Sequence, residues 1–295
     1  MNPLDLVLEP LSYGFMIRAL VTTVVAAVVC ALLSCWLVLI GWSLMGDAVS
    51  HAVLPGVVLA YVLGLPFAIG AVVFGFLAVG LIGAIRDTSR VKEDAAIGIV
   101  FTTLFALGLV LISVTPSQTD LNHIVFGNVL GVSVTDLVQV VVLGAVVAVV
   151  LLAKRRDLVL YAFDPGHAHA IGLSPRRLGA LLLGLLALTA VVALQVVGVI
   201  LVVAMLILPG ATAQLLTDRF SRMLLLAPVL SAVCATIGLY LSYWLDAAPG
   251  GLVVVTQGAA FTLVYLFGPR GLVTRFARPG GGRPVVDAVV HGDRL

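Results

Sequence analysis

The chain has 295 residues, of which 62% are hydrophobic and only 10% charged, with a formal net charge of +2. So little polar material cannot cover a core of that size, which excludes a soluble globular domain. The composition instead specifies an all-α, polytopic integral membrane protein with about eight or nine transmembrane helices, each crossing taking about 20 apolar residues.

Asp5 and Glu9 precede the first apolar run, without a basic leader or a small-residue cleavage site, so that run is expected to stay in the mature protein. Candidate spans cover about 14–41, 48–64, 65–85, 94–115, 132–153, 176–197, 198–216, 222–245 and 250–268. Leu63-Gly64-Leu65-Pro66 demands a tight turn between the second and third. Pro209-Gly210 is expected to kink or break the seventh, and broken membrane helices usually border a cavity. Residues 1–270 read as one membrane domain and the Gly/Pro-rich stretch 271–295 as a flexible cytoplasmic tail.

Cationic residues fall almost entirely on one side. With the loops Arg86 to Lys92, Lys154 to Arg177, Arg219 to Arg222 and the tail from Arg270 placed in the cytoplasm, that side holds every Lys and Arg except Arg18. Residues 116–131 and 246–250 then lie outside. The N-terminus is outside if nine segments cross and inside if eight do. Cys30, Cys35 and Cys234 sit in apolar stretches and are expected to be free thiols that bind no metal.

Two segments carry chemistry. Asp47 and His51 stand four apart at the start of a predicted span and so share a helix face. Ionisable groups at membrane depth are expensive and normally line a pathway or pair with a partner. A hard oxygen beside an imidazole nitrogen suits Mn²⁺, Fe²⁺ or Zn²⁺. One chain offers only these two ligands, whereas two chains facing across an axis would offer four. The plainer reading is a polar pair at the start of the span.

The second segment is Asp164 to Gly172, in the longest cytoplasmic connection. Asp164 can cap a short helix, Pro165 suits its first position and Gly172 can end it, with Gly166, His167 and Ala168 between. Such a helix suits docking into an ATPase subunit, although a simple amphipathic connector would look alike. His167 and His169, two apart, face different ways. His123 in the external loop and Gln195 within a span are the remaining polar candidates, and both are expected to be structural or solvated. A phosphate-binding loop needs Gly-Lys-Ser/Thr, and neither Lys92 nor Lys154 follows Gly or precedes Ser/Thr. The chain is therefore not expected to be an enzyme, and ATP must act on a separate partner.

From about residue 14 to 270 the chain resembles the permease subunits of bacterial ABC importers for manganese, iron and zinc. The resemblance rests on Gly46-Asp47-Ala48-Val49-Ser50-His51-Ala52 with Leu54-Pro55-Gly56, and on Lys92 to Phe101. His123 to Leu130 and Gly198 to Ala213 carry it further. It implies a bacterial plasma-membrane location and a pair of permeases, either two copies or this chain with a paralogue. It also implies cytoplasmic ABC ATPase subunits that hold the ATP, and an extracytoplasmic metal-binding protein; no nucleic acid is expected to bind. It further implies that Asp47 and His51 coordinate the passing metal, that Asp164 to Gly172 is the coupling helix, and that no cofactor is held permanently. The motif wording is closer to the manganese/iron branch than to zinc. Outside that resemblance, a proton-coupled metal transporter would use Asp47 and His51 as a relay, but no inverted repeat with paired broken helices is evident. An intramembrane metallohydrolase would need three protein ligands on its metal.

Overall fold

The computed structural model describes residues 9–65, 67–115, 129–269 and 271–273; His123, the tail beyond 273 and the side chain of Gln195 fall outside this description. The described chain is helical throughout, in the order α1 (Gly14–Ile40), α2 (Ser43–Ala52), α3 (Leu54–Val62), α4 (Phe67–Thr88), α5 (Glu93–Val114) and, after a 3₁₀ turn at Val129–Gly131, α6 (Val134–Ala153). Then come α7 (Arg155–Phe163), α8 (Pro165–Ala170), α9 (Pro175–Leu216), α10 (Phe220–Leu245) and α11 (Pro249–Phe267). Helices α2 and α3 meet at Val53, whose backbone stays helical, and act as one span. Gly64, at φ 66°, makes the tight turn into α4.

Helix α9 is 42 residues long. A straight helix of that length would reach about 60 Å, twice the hydrocarbon thickness. Its neighbours rule that out. Gly179 abuts Tyr161 and Trp42, and Ala187 abuts Gly75. Thr189 and Ala193 pack beside Val25, Val29 and Cys30 of α1. Further on, Gly210 bonds Ser34 of α1 and Phe220 stacks edge-on against Trp36, so the chain has come back the way it went. The reversal lies at Gly198, whose φ of 77° and ψ of 166° break the helix. Two arms result, the second of which, Leu201–Leu216, is a shorter apolar helix. Seven other helical segments among the described residues are long and apolar enough to span a membrane, in keeping with the eight or nine expected.

The expected break at Pro209-Gly210 is absent, because α1 repairs it. Pro209 removes one helical donor, yet Gly210 N–H finds Ser34 Oγ at 3.1 Å and the same hydroxyl reaches Ile207 O at 3.4 Å. A Cβ at Gly210 would lie 2.7 Å from Ser34 O, so only glycine allows this approach. Gly56 of α3 and Gly70 of α4 meet as closely, a Cβ on either running into the other's carbonyl. Gly238 of α10 lies against Val253 of α11 in the same way, its Cβ position being 2.6 Å from Val253 Cα. Without a hydrophobic drive between helices in lipid, such small-residue contacts are what hold a bundle.

The ends sort cleanly. Trp36, Trp42, Tyr161, Gly179 and Phe220 gather at one end, beside Lys154 to Arg156, Arg176, Arg177, Arg219 and Arg222 in the chain. At the other, Tyr13 lies 6.2 Å from Tyr243, and Arg18 Nε donates to Val132 O across 3.2 Å. The positive-inside rule makes the first end cytoplasmic and the start of α1 external.

Candidate functional site

Helix α2 runs from the cytoplasmic end past Asp47 to His51. Its N-cap is Trp42, so the pair lies inside the helix and not at its capping position. His51 stands eight residues into the 20-residue α2–α3 span, about 12 Å along its axis and close to mid-depth. Imidazole Nδ1 is 3.1 Å from Asp47 Oδ1 and 3.0 Å from Asp47 O. The ring is held edge-on by Phe101 and Phe105 of α5, with centroids at 5.2 and 5.3 Å. Both ionisable side chains are only partly covered, with 35% of Asp47 and 26% of His51 exposed. Behind them Leu206, on the second arm of α9, packs on Gly46, whose Cβ position lies 3.2 Å from its Cδ1.

Chemically this is a half-built site. Nδ1 is occupied by Asp47, which leaves Nε2 as the ring nitrogen for an ion, and a carboxylate on the other nitrogen is the usual orienting arrangement for a metal-binding histidine. Among the described residues no group of three or more His, Cys, Asp or Glu is assembled. The aromatic pair that clamps His51 was missed in the sequence; its signal was Phe101 and Phe105, four apart in a predicted span.

At the cytoplasmic end α8 has the predicted local structure. Asp164 Oδ1 accepts from His167 N–H at 2.8 Å, Pro165 opens the helix, and Gly172 follows at φ 88°. Ala168 is fully buried and fastens the helix down, while Pro165, Gly166, His167 and His169 face outward. Asp164 to Gly172 and the Asp47–His51 pair are separate features of the molecule and are not brought together.

A bundle of membrane-spanning helices with a half-open ionisable pair inside one span has the architecture of a multi-pass membrane transport protein. A sequence profile described as the ABC 3 transport family matches residues 12–268. The chain belongs to that family, and it resides in the bacterial plasma membrane. It is 52% identical over 262 residues to the manganese transport system membrane protein MntB of Synechocystis sp., covering 89% of this chain and 86% of that one. It is 51% identical over 263 residues to a probable iron transport system membrane protein of Haemophilus influenzae, covering 89% and 97%. Among solved structures, PsaBC from Streptococcus pneumoniae in complex with Fab superposes with a TM-score of 0.85 at 38% identity, over 93% of this chain and 99% of that one.

Proposed function

We propose that the chain is the permease subunit of an ATP-driven importer of divalent transition-metal ions, manganese or iron before zinc, which pass Asp47 and His51. The observation that carries this is the carboxylate–imidazole pair near mid-depth, open on one side and short of ligands within one chain. The naming of relatives for manganese and iron supports the choice of metal.

Pairing with a second permease completes the site. The outward face of α5, beside His51, carries Ala95, Thr102, Ala106 and Ser113 with exposed Ile99 and Leu109 between them, a mixed small and apolar surface open to a partner helix. Coupling to cytoplasmic ATPase subunits runs through α8. Phe163 and Ile171 flank it and are 65% and 56% exposed, apolar surface suited to a protein partner. An extracytoplasmic binding protein delivers the ion at the opposite end, and residues 271–295 form a cytoplasmic tail outside the permease domain.

Uptake of Mn²⁺, Fe²⁺ and Zn²⁺ by proteoliposomes carrying permease, ATPase and binding protein tests the reading. ATP-dependent uptake of Mn²⁺ or Fe²⁺, lost in Asp47→Ala with assembly intact, is expected. Normal uptake by a well-assembled Asp47→Ala transporter would overturn the role of the pair.

A further inference from the structure

Between the second arm of α9 and helices α10 and α11 lies a small, partly open cavity, lined in part by Pro209, Thr212, Ser231, Cys234 and Gln257. Gln257 is 3% exposed. Its Nε2 donates to Ser231 Oγ across 3.1 Å, but its Oε1 has no hydrogen-bond partner. Turning the amide over only moves the deficit, because Ser231 would then serve the oxygen and leave the nitrogen alone. A buried amide end without a partner is costly enough that native proteins rarely keep one.

The other polar groups of the wall have capacity to spare. Thr212 spends its hydrogen on Leu208 O at 2.7 Å and keeps oxygen lone pairs for a donor. Ser231, accepting from Gln257, still has a hydrogen of its own to give. The space, about 10 Å³ for the centre of a water-sized sphere, suits a single water, and internal waters typically make two to four hydrogen bonds.

We propose that this cavity is a hydration site, in which an internal water donates to Gln257 Oε1 and Thr212 Oγ1 and accepts from Ser231. The site abuts Pro209, in the arm whose Leu206 backs Gly46 and hence the Asp47 helix. Water there gives the proline-bearing turn a partner that can be exchanged without breaking side-chain packing. A contrasting crevice lies between α1, α6 and the first arm of α9, lined by Val25, Val29, Cys30, Leu143 and Val147. No buried side-chain nitrogen or oxygen in its lining lacks a partner, so nothing there calls for a water, and this crevice is taken as the dry counterpart.

The three cysteines report on the difference. Cys234 lines the proposed wet cavity and Cys30 the dry one, while Cys35 is wholly buried. Radiolytic hydroxyl-radical labelling of the intact transporter in lipid nanodiscs, read by mass spectrometry, would oxidise a sulfur beside a bound water. Cys234 is expected to label several-fold faster than Cys30 and Cys35. Because Cys234 is also 7% exposed against 0% for the other two, the deciding comparison is Cys234 in the parent and in Gln257→Leu, which removes the acceptor without adding a radical-reactive sulfur. Labelling that falls at least threefold in Gln257→Leu supports the site, and labelling unchanged there overturns it. Should Gln257→Leu fail to assemble, Thr212→Val poses the same question, with the same fall expected. Equal labelling of Cys234 and Cys30 in the parent would overturn the site without any variant.

Discussion

His51 is fixed from three directions, by Asp47 along its own helix and by Phe101 and Phe105 from α5. Position and charge can therefore be separated by substitution. Asp47→Asn keeps an oxygen for the ring but removes the charge that favours a divalent cation, so uptake should fall at least tenfold while the melting temperature stays near that of the parent; near-normal uptake would show the charge to be dispensable. Ser34 makes the opposite case, a residue with a structural task alone. In Ser34→Ala the buried Gly210 N–H loses its acceptor, and a loss of about 1 kcal/mol is expected in thermal or denaturant unfolding. Asp47 and His51 were legible in the sequence because an ionisable residue in an apolar run is conspicuous. Ser34 was not, since its partner lies 176 residues away and a serine in a span has many harmless uses.

Helix α8 was legible almost completely, because Asp164, Pro165 and Gly172 are local signals that act within the segment itself. Asp164→Ala should remove the cap at a cost of about 1 kcal/mol to that helix. In the assembled transporter it should lower metal-stimulated ATPase activity more than it lowers permease stability; equal losses in the two assays would assign the residue to folding alone. Glycine contacts between helices were not legible, since glycine in a span reads equally as a kink or as a close approach. Gly56→Ala and Gly70→Ala each drive a methyl into a facing carbonyl. Each should destabilise the α3–α4 pair by about 1–3 kcal/mol, the range for overpacking. Gly80→Ala, with nothing within 4 Å, is the control and should be neutral.

Charge placement predicted the two faces of the molecule, and the packing of Tyr13 near Tyr243 then assigned the start of α1 to the external one. On a cysteine-free background, Asp246→Cys should react with a membrane-impermeant maleimide from outside the cell, and His167→Cys only after the cytoplasmic face is opened. The reverse pattern would invert the whole topology. The further break expected inside the second arm of α9, at Pro209-Gly210, is absent, but the sequence divided residues 176–216 into two spans at 197/198, where the structure turns at Gly198. That has a consequence for biogenesis. A reversal made by one residue offers no polar loop to park at the outer surface while the second arm emerges from the ribosome. The translocon must hold some 40 apolar residues until both arms can leave sideways as a pair, and the single left-handed glycine between them decides whether a growing chain becomes two crossings or one overlong rod.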